Sequence, residues 1–286
     1  VIHISNALLL GIVPALRETI PGAGIFCSLQ DEHTWLDDLD PPYDVRCRER
    51  ISELVPDVSC FTPVSGYYEG FCRQRFAIPD GKTSVVPVGL SPQSYPESSR
   101  PFEPPVIGYL ARICESLGAG DLLDAFLKLR KNFPLRDLRL VFAGGMTSDD
   151  KRFIDGLRAR LREHNAEDAV RFLPGLDQDT RNEFFRSVTV LSVPTREPEA
   201  FGSFIVESLL AGVPVVQPRL GGFTEIVENT SGGVLYEPTD PAGLSDALGE
   251  LLEQPETVTR MGDRGRRAAS EIYSVETCAQ KLQKLY

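Results

Sequence analysis

The chain has 286 residues, 42% of them hydrophobic and 25% charged; those are globular proportions, which exclude global disorder, and a length that suits two domains of roughly 100–200 residues. Acidic residues outnumber basic ones 41 to 30, for a formal charge of −11, a field opposed to the concentrated basic face of a nucleic-acid binder, so no such partner is expected. The six cysteines form no C-x-x-C pair and the three histidines are scattered, so the thiols read as reduced in a cytoplasmic protein and no metal site is expected.

In chain order, β-rich runs fall at Val1–Ser5, Ile25–Leu29, Val58–Val64 and Ser84–Val88 with helical stretches between them, which predicts an α/β domain over residues 1–94. The chain opens inside the first of these strands, so either this domain is the rear half of a larger one or another chain, a second copy included, covers the open edge of its sheet. The longest uncharged apolar run, Ala7 to Leu16, contains Pro14 and is about half the length that spans a bilayer. It lacks a basic leader, and no basic amphipathic helix is visible, so neither a signal peptide nor membrane association is evident.

A polar segment from Ser91 to Pro105, with prolines at 92, 96, 101, 104 and 105, has the composition of a linker. Beyond it the rhythm is regular. Strand-like runs at Val106–Ala111, Leu138–Ala143, Val170–Leu173, Thr189–Val193, Val213–Gln217 and Gly233–Tyr236 alternate with helical segments such as Asp121–Lys131, Asp149–His164 and Phe201–Ala211. Thr147 and Asp150 have the spacing of a capping box for the second of these helices. Such alternation predicts βαβ crossovers and a doubly wound parallel sheet over residues 95–273. Helical segments at Pro241–Leu252, Glu256–Ile272 and Val275–Leu285 close the chain; the last, within 274–286, is expected to pack back toward the N-terminal domain.

Ligands of open α/β sheets bind outside the carboxyl ends of the strands, so the loops there carry the functional reading. Between Ala200 and Pro218 the only charged residue is Glu207. A carboxylate alone on a helix that is apolar nearly all round is costly unless hydrogen-bonded. Either it caps a neighbouring loop, or it holds a pair of hydroxyls on a ligand. Glu199 stands eight residues earlier at the helix entrance, with Phe201 and Gly202 between; the free N–H groups of a first helical turn form an anion site. A second loop, Arg112 to Asp121, places Gly118 and Gly120 at a helix start with the permanent cation of Arg112 beside them, which suits a diphosphate. It has no third glycine in dinucleotide spacing, which argues against a nicotinamide dehydrogenase. A third loop runs Arg219-Leu-Gly221-Gly222-Phe-Thr-Glu225, and a fourth, Pro174 to Asp177, can hold a base edge.

The stretch Glu199-Ala-Phe-Gly-Ser-Phe-Ile-Val-Glu207, followed by Leu-Leu-Ala-Gly-Val-Pro-Val-Val and Gly221-Gly222-Phe-Thr-Glu225-Ile, resembles the signature of retaining glycosyltransferases of family 4. Gly108-Tyr-Leu-Ala-Arg-Ile-Cys114, Gly-Gly-Val-Leu-Tyr-Glu-Pro and the fainter Val85-Val-Pro-Val-Gly89 are similar to the same family. The resemblance implies the α/β GT-B fold: two Rossmann-like, doubly wound parallel-sheet domains, the N-terminal one incomplete here. It implies a nucleotide-diphospho-sugar donor, with Glu207 on the ribose hydroxyls and Glu199 on the donor sugar. Gly202 and Ser203 would offer backbone N–H groups, Arg112 would hold the departing diphosphate, and Leu176 and Asp177 would lie at the base. Neither a metal nor another cofactor is implied.

Departures from the family pattern are specific. Leu117 stands where the family has a phosphate-binding lysine, with Arg219 as a candidate substitute. Gln30-Asp31 stands where it has a histidine, and Gln30 can donate a hydrogen bond but cannot act as an acid or base. The front half of the N-terminal domain, with its glycine-rich loop, has no counterpart. Two other readings follow from these departures: a nucleotide-sugar-binding pseudo-enzyme or scaffold, and a GT-B sugar-nucleotide epimerase, against which the scarcity of histidines counts.

Overall fold

The structure, a computed structural model, describes residues 1–131, 135–174 and 177–286. It divides into two units, Val1–Gly89 with Glu199–Phe201 and Val275–Tyr286, and Leu90–Pro198 with Gly202–Ser274.

In the first unit, strands Ile2–Ile4 (β1), Ile25–Leu29 (β2) and Cys60–Pro63 (β3) lie parallel in the order β1-β2-β3, with Ile2 opposite Ile25 and Cys27 opposite Phe61. Ile25, Phe26, Cys27 and Leu29 are all buried; consecutive burial marks a central strand covered on both faces. Helices Val13–Thr19 (α1), Glu32–Asp37 (α2), Tyr43–Leu54 (α3) and Gly66–Phe76 (α4) make the crossovers and cover. Ser65 caps α4, its Oγ accepting from the Tyr68 N–H at 3.0 Å and donating to the Ala200 carbonyl at 2.6 Å. That bond fixes the segment Glu199–Phe201 within this unit.

Ser84–Val88 does not become the expected fourth strand. The chain does run beside β3, with bonds from Phe61 N to Lys82 O, from Ser84 N to Phe61 O and from Val86 N to Pro63 O. The return bond that would complete the ladder needs an N–H on residue 63, and proline has none.

The second unit carries the strands Val106–Leu110 (β4), Arg139–Gly144 (β5), Val170–Pro174 (β6), Val190–Leu191 (β7), Val215–Pro218 (β8) and Gly233–Tyr236 (β9). They form one parallel sheet in the order β6-β5-β4-β7-β8-β9. Helices Ala119–Leu129 (α5), Lys151–Glu163 (α6), Gln178–Ser187 (α7), Ser203–Leu210 (α8) and Gly221–Thr230 (α9) connect successive strands, and Gly243–Leu252 (α10) and Pro255–Ile272 (α11) follow β9. The C-terminal helix Val275–Leu285 (α12) belongs to the first unit. Because β4 leads to β5 and β6 on one side while β7 leads to β8 and β9 on the other, the strand order reverses between β4 and β7. In a doubly wound sheet that reversal opens the ligand crevice at the carboxyl ends of the two strands.

The capping box at Thr147 forms only in part. Asp150 accepts from the Thr147 N–H at 2.9 Å and from its hydroxyl at 2.8 Å, but helix α6 starts after Asp150, which itself makes no side-chain cap. Its carboxylate is turned to another partner, Arg112.

Candidate functional site

At the reversal, the loops after β4 and β7 are locked together. Gly118, the N-cap of α5, has φ +74°, and a Cβ there would stand 1.9 Å from the Pro194 carbonyl oxygen. Only glycine allows the backbones to approach this closely. The Tyr109 hydroxyl, on β4, reaches the Arg112 carbonyl at 2.8 Å and that of Leu117 at 3.3 Å. From the β7 side, the Arg196 N–H bonds the Ser116 carbonyl at 3.1 Å, and its guanidinium forks onto Asp121 at 2.9 and 3.0 Å and reaches Glu115 at 3.2 Å. Arg196 is a residue the sequence did not single out, since an exposed arginine in a loop carries no periodic signal.

Arg112, expected beside the phosphate nest, is held by Asp150: Nε to Oδ2 and Nη2 to Oδ1, both 2.9 Å, with Nη2 also 3.1 Å from the Thr147 hydroxyl. The fork pulls the Asp150 carboxyl down to about 2, the bonds from Arg112 being the largest cause and Thr147 adding to it. The guanidinium is half exposed and its Nη1 makes no hydrogen bond among the described residues, so it can still meet an anion.

Helix α8 starts at Gly202, where φ is +97° and a Cβ would lie 2.6 Å from the Phe223 ring. No side chain caps α8, so its first N–H groups, Ser203 among them, are open to an anion. One turn on, Glu207 is buried among Ile205, Val206, Leu209 and Leu210. Its Oε2 pairs with Nη1 of Arg181 on α7. Burial raises the Glu207 carboxyl above its ordinary range and Arg181 offsets part of that rise. Oε1 takes no hydrogen bond among the described residues. Tyr95 shares the cluster: its hydroxyl is pushed up to about 12 by burial and the charge of Glu207, with Arg181 acting the other way. Arg181 and Tyr95 were not legible beforehand, Arg181 because it lies in the polar stretch Gln-Asp-Thr-Arg-Asn-Glu, which reads as a solvated helix face.

The remaining expected residues are distributed as follows. Asp177 is the N-cap of α7, with Oδ1 accepting from the Thr180 N–H at 2.8 Å, a bond that lowers its carboxyl. Leu176 lies outside the described residues. Gly222 is buried in the first turn of α9. Arg219 is bound to Glu228 at 2.7 Å and to Glu237 at 3.0 Å. A cavity of about 550 Å³ in this unit is walled by Asp121, Thr195, Arg196, Tyr236 and Asp240, none of them singled out from the sequence.

In the first unit, Glu199 is largely buried and its carboxyl is raised to about 7, by burial first and then by the charge of Asp31. Asp31 is itself raised by burial, with His33 pulling the other way from 3.4 Å. Gln30 donates through Nε2 to the Ser5 carbonyl at 3.1 Å. Among the described residues no group of three or more His, Cys, Asp or Glu side chains converges as a metal site, and no helix is long and apolar enough to cross a membrane.

D-inositol 3-phosphate glycosyltransferase of Corynebacterium jeikeium (strain K411) is 28% identical over 226 residues, which is 78% of this chain and 54% of that protein. The chain spans about half the length of the curated relatives it matches. Sucrose-phosphate synthase from Thermosynechococcus elongatus shares the fold at a TM-score of 0.81 and 21% identity, over 99% of this chain and 72% of that one. Anabaena Alr3699/HepE, solved in complex with UDP, does so at 0.82 and 20% identity, over 99% and 77%. The fold is thus the GT-B-like α/β fold with parallel sheets. A family model described as glycosyl transferases group 1 matches residues 93–268. That span takes in well over half of the chain and both sides of the strand reversal, and on it the chain belongs to the family of glycosyl transferases group 1.

Proposed function

We propose that this chain is a retaining glycosyltransferase of family 4, which binds a nucleotide-diphospho-sugar and passes the sugar to an acceptor hydroxyl. The observation that carries the reading is Glu207, a buried carboxylate and the one charged group on its helix, with one oxygen that takes no hydrogen bond among the described residues. An oxygen of that kind is suited to a ribose hydroxyl. Gly202 and Ser203 at the uncapped start of α8 present backbone N–H groups to phosphate or sugar; the Gly118 N–H is given to the Glu115 carbonyl at 3.0 Å, so the part of Gly118 is the close backbone approach at the start of α5. Arg112 meets the diphosphate with its unengaged Nη1. Glu199 is assigned to the donor sugar by its place in the motif, with Phe201 beside it, and Asp177 and Leu176 to the base.

In the reaction the anomeric C–O bond to the diphosphate breaks through an oxocarbenium-like state, and the acceptor oxygen bonds the anomeric carbon on the same face. The acceptor's proton leaves with the diphosphate. Negative charge grows on the departing group, where fixed donors are worth most, about 2.7–4 kcal/mol for one well-placed group. No resident cofactor or metal enters the proposal.

Calorimetric titration with UDP, GDP and ADP tests it, UDP first because the Anabaena relative was solved with it. Binding of one of the three, weakened by Glu207→Ala, is expected; no binding by any of them to folded protein refutes the reading. A second reading, a donor-binding chain with impaired transfer, is favoured by one observation. Leu117 replaces the family's lysine, and Arg112, Arg196 and Arg219 are each already paired with carboxylates. Release of free sugar from UDP-glucose or another bound donor separates the two.

A further inference from the structure

Resting on that reading of Glu207, we propose that Arg181 is a positioning residue: it holds the Glu207 carboxylate by one oxygen so that the other faces the ribose, and so sets the site's preference for ribonucleotides.

Three observations in the second unit meet here. First, the pair is specific in its atoms. Nη1 of Arg181 engages Oε2 of Glu207, and Oε1 takes no hydrogen bond among the described residues. A charge-assisted bond to one carboxylate oxygen favours the rotamer that makes it, so the other oxygen keeps a preferred direction. Second, the arginine is itself anchored. It rises from α7, whose first residue, Gln178, donates through Nε2 to the Ser94 carbonyl at 3.0 Å, and the next residue along, Tyr95, packs edge-on against Phe185 of the same helix with ring centroids 6.0 Å apart. Tyr95 is the other titratable neighbour of the carboxylate, so Arg181 is the one cation acting on Glu207 among the described residues. Third, the surroundings make the cation necessary. The carboxylate side chain is only about a tenth exposed, and α8 carries no other charge, its remaining residues being apolar apart from Ser203 and Ser208. Without a partner a buried carboxyl takes up a proton, and a protonated group no longer accepts equally at both oxygens.

Arg181 therefore acts on the ligand through Glu207, and only on the part of the ligand that Glu207 touches. The test compares UDP, GDP or ADP, whichever binds, with its 2′,3′-dideoxy form by calorimetry. The unaltered chain is expected to prefer the ribonucleotide by about tenfold, the usual worth of a hydrogen bond to a charged group. Arg181→Met is expected to abolish that preference while leaving affinity for the dideoxy form as it was. Should that variant not fold, Arg181→Gln, which is neutral and polar, takes its place with the same expectation. A variant that keeps the preference, or that weakens both ligands alike, overturns the proposal, the second outcome marking a merely structural arginine. Glu207→Ala, which removes every acceptor there, tells the two failures apart: if it too keeps the preference for ribose, the assignment of Glu207 to the donor is what fails. If none of the three nucleotides binds the unaltered chain, both fail.

Discussion

Gly118 and Pro194 meet backbone to backbone, a Cβ on the one falling 1.9 Å from the carbonyl oxygen of the other. Gly118 ends the loop after β4 and Pro194 lies near the start of the loop after β7, so the contact holds together the two loops that flank the strand reversal. Gly118→Ala adds a left-handed conformation unsuited to alanine and a clash with main chain that cannot rotate away. Together these are expected to cost about 3 kcal/mol, read as a lower urea midpoint at unchanged slope. Gly156 is the control. It lies exposed in α6 with nothing within 4 Å of its Cβ position, and Gly156→Ala is expected to stabilise by about 0.5–1 kcal/mol. Equal behaviour of the two variants would show that the approach at Gly118 is not the constraint described.

Glu199 gives the first unit a pH dependence of definite sign. Its carboxyl is raised to about 7 by burial and then by Asp31, so the folded form holds a proton that the unfolded chain, with an ordinary carboxyl near about 4.3, has already lost. Stability from this group is complete below the unfolded value and declines as pH rises through about 7. Relative to Glu199→Gln, the unaltered chain is expected to lose between about 1 and 3 kcal/mol on going from pH 5 to pH 8, and Asp31→Asn to show a smaller loss. Urea unfolding of the three proteins at both pH values measures it. A gap between the parent and Glu199→Gln that does not change with pH contradicts the account.

What could be read from the sequence and what could not separate along one line. The parallel sheet of the second unit, its alternation with helices and the isolation of Glu207 are properties of consecutive residues, and period and composition expose them. Partners distant in sequence are not exposed. Arg112 reads as a free cation in its loop, and nothing local says that Asp150, 38 residues on, holds it; the local reading gives Asp150 to Thr147 instead. Arg219, a candidate replacement for the missing lysine, is likewise held by Glu228 and Glu237. Arg181 looks like solvated helix until α7 is set beside α8. The fourth strand of the first unit fails for a reason that lies in its neighbour: Val85, Val86 and Val88 have the composition of a strand, but the missing donor is that of Pro63.

Glu32 shows the same dependence on distant partners in the first unit, at the loop that carries Gln30 and Asp31. It is 2% exposed and accepts three hydrogen bonds: the Ala7 N–H at 3.0 Å on Oε1, and the Gln30 N–H at 2.9 Å with the Tyr68 hydroxyl at 2.9 Å on Oε2. The loops after β1 and β2 are thereby tied to each other and to α4. All three partners are donors, an arrangement that two carboxylate oxygens satisfy and an amide cannot, because its NH2 end must face one of them. Glu32→Gln is therefore expected to cost about 2–4 kcal/mol despite its near-identical shape, since a buried donor is left against a donor. Tyr68→Phe removes the bond to Glu32 and the hydroxyl's 3.3 Å contact with His33 Nδ1 but leaves both backbone donors satisfied, so its cost is expected to be smaller, about 2 kcal/mol. Urea unfolding of the two variants orders them, and a Glu32→Gln protein as stable as its parent would mean that the three donors do not depend on this carboxylate.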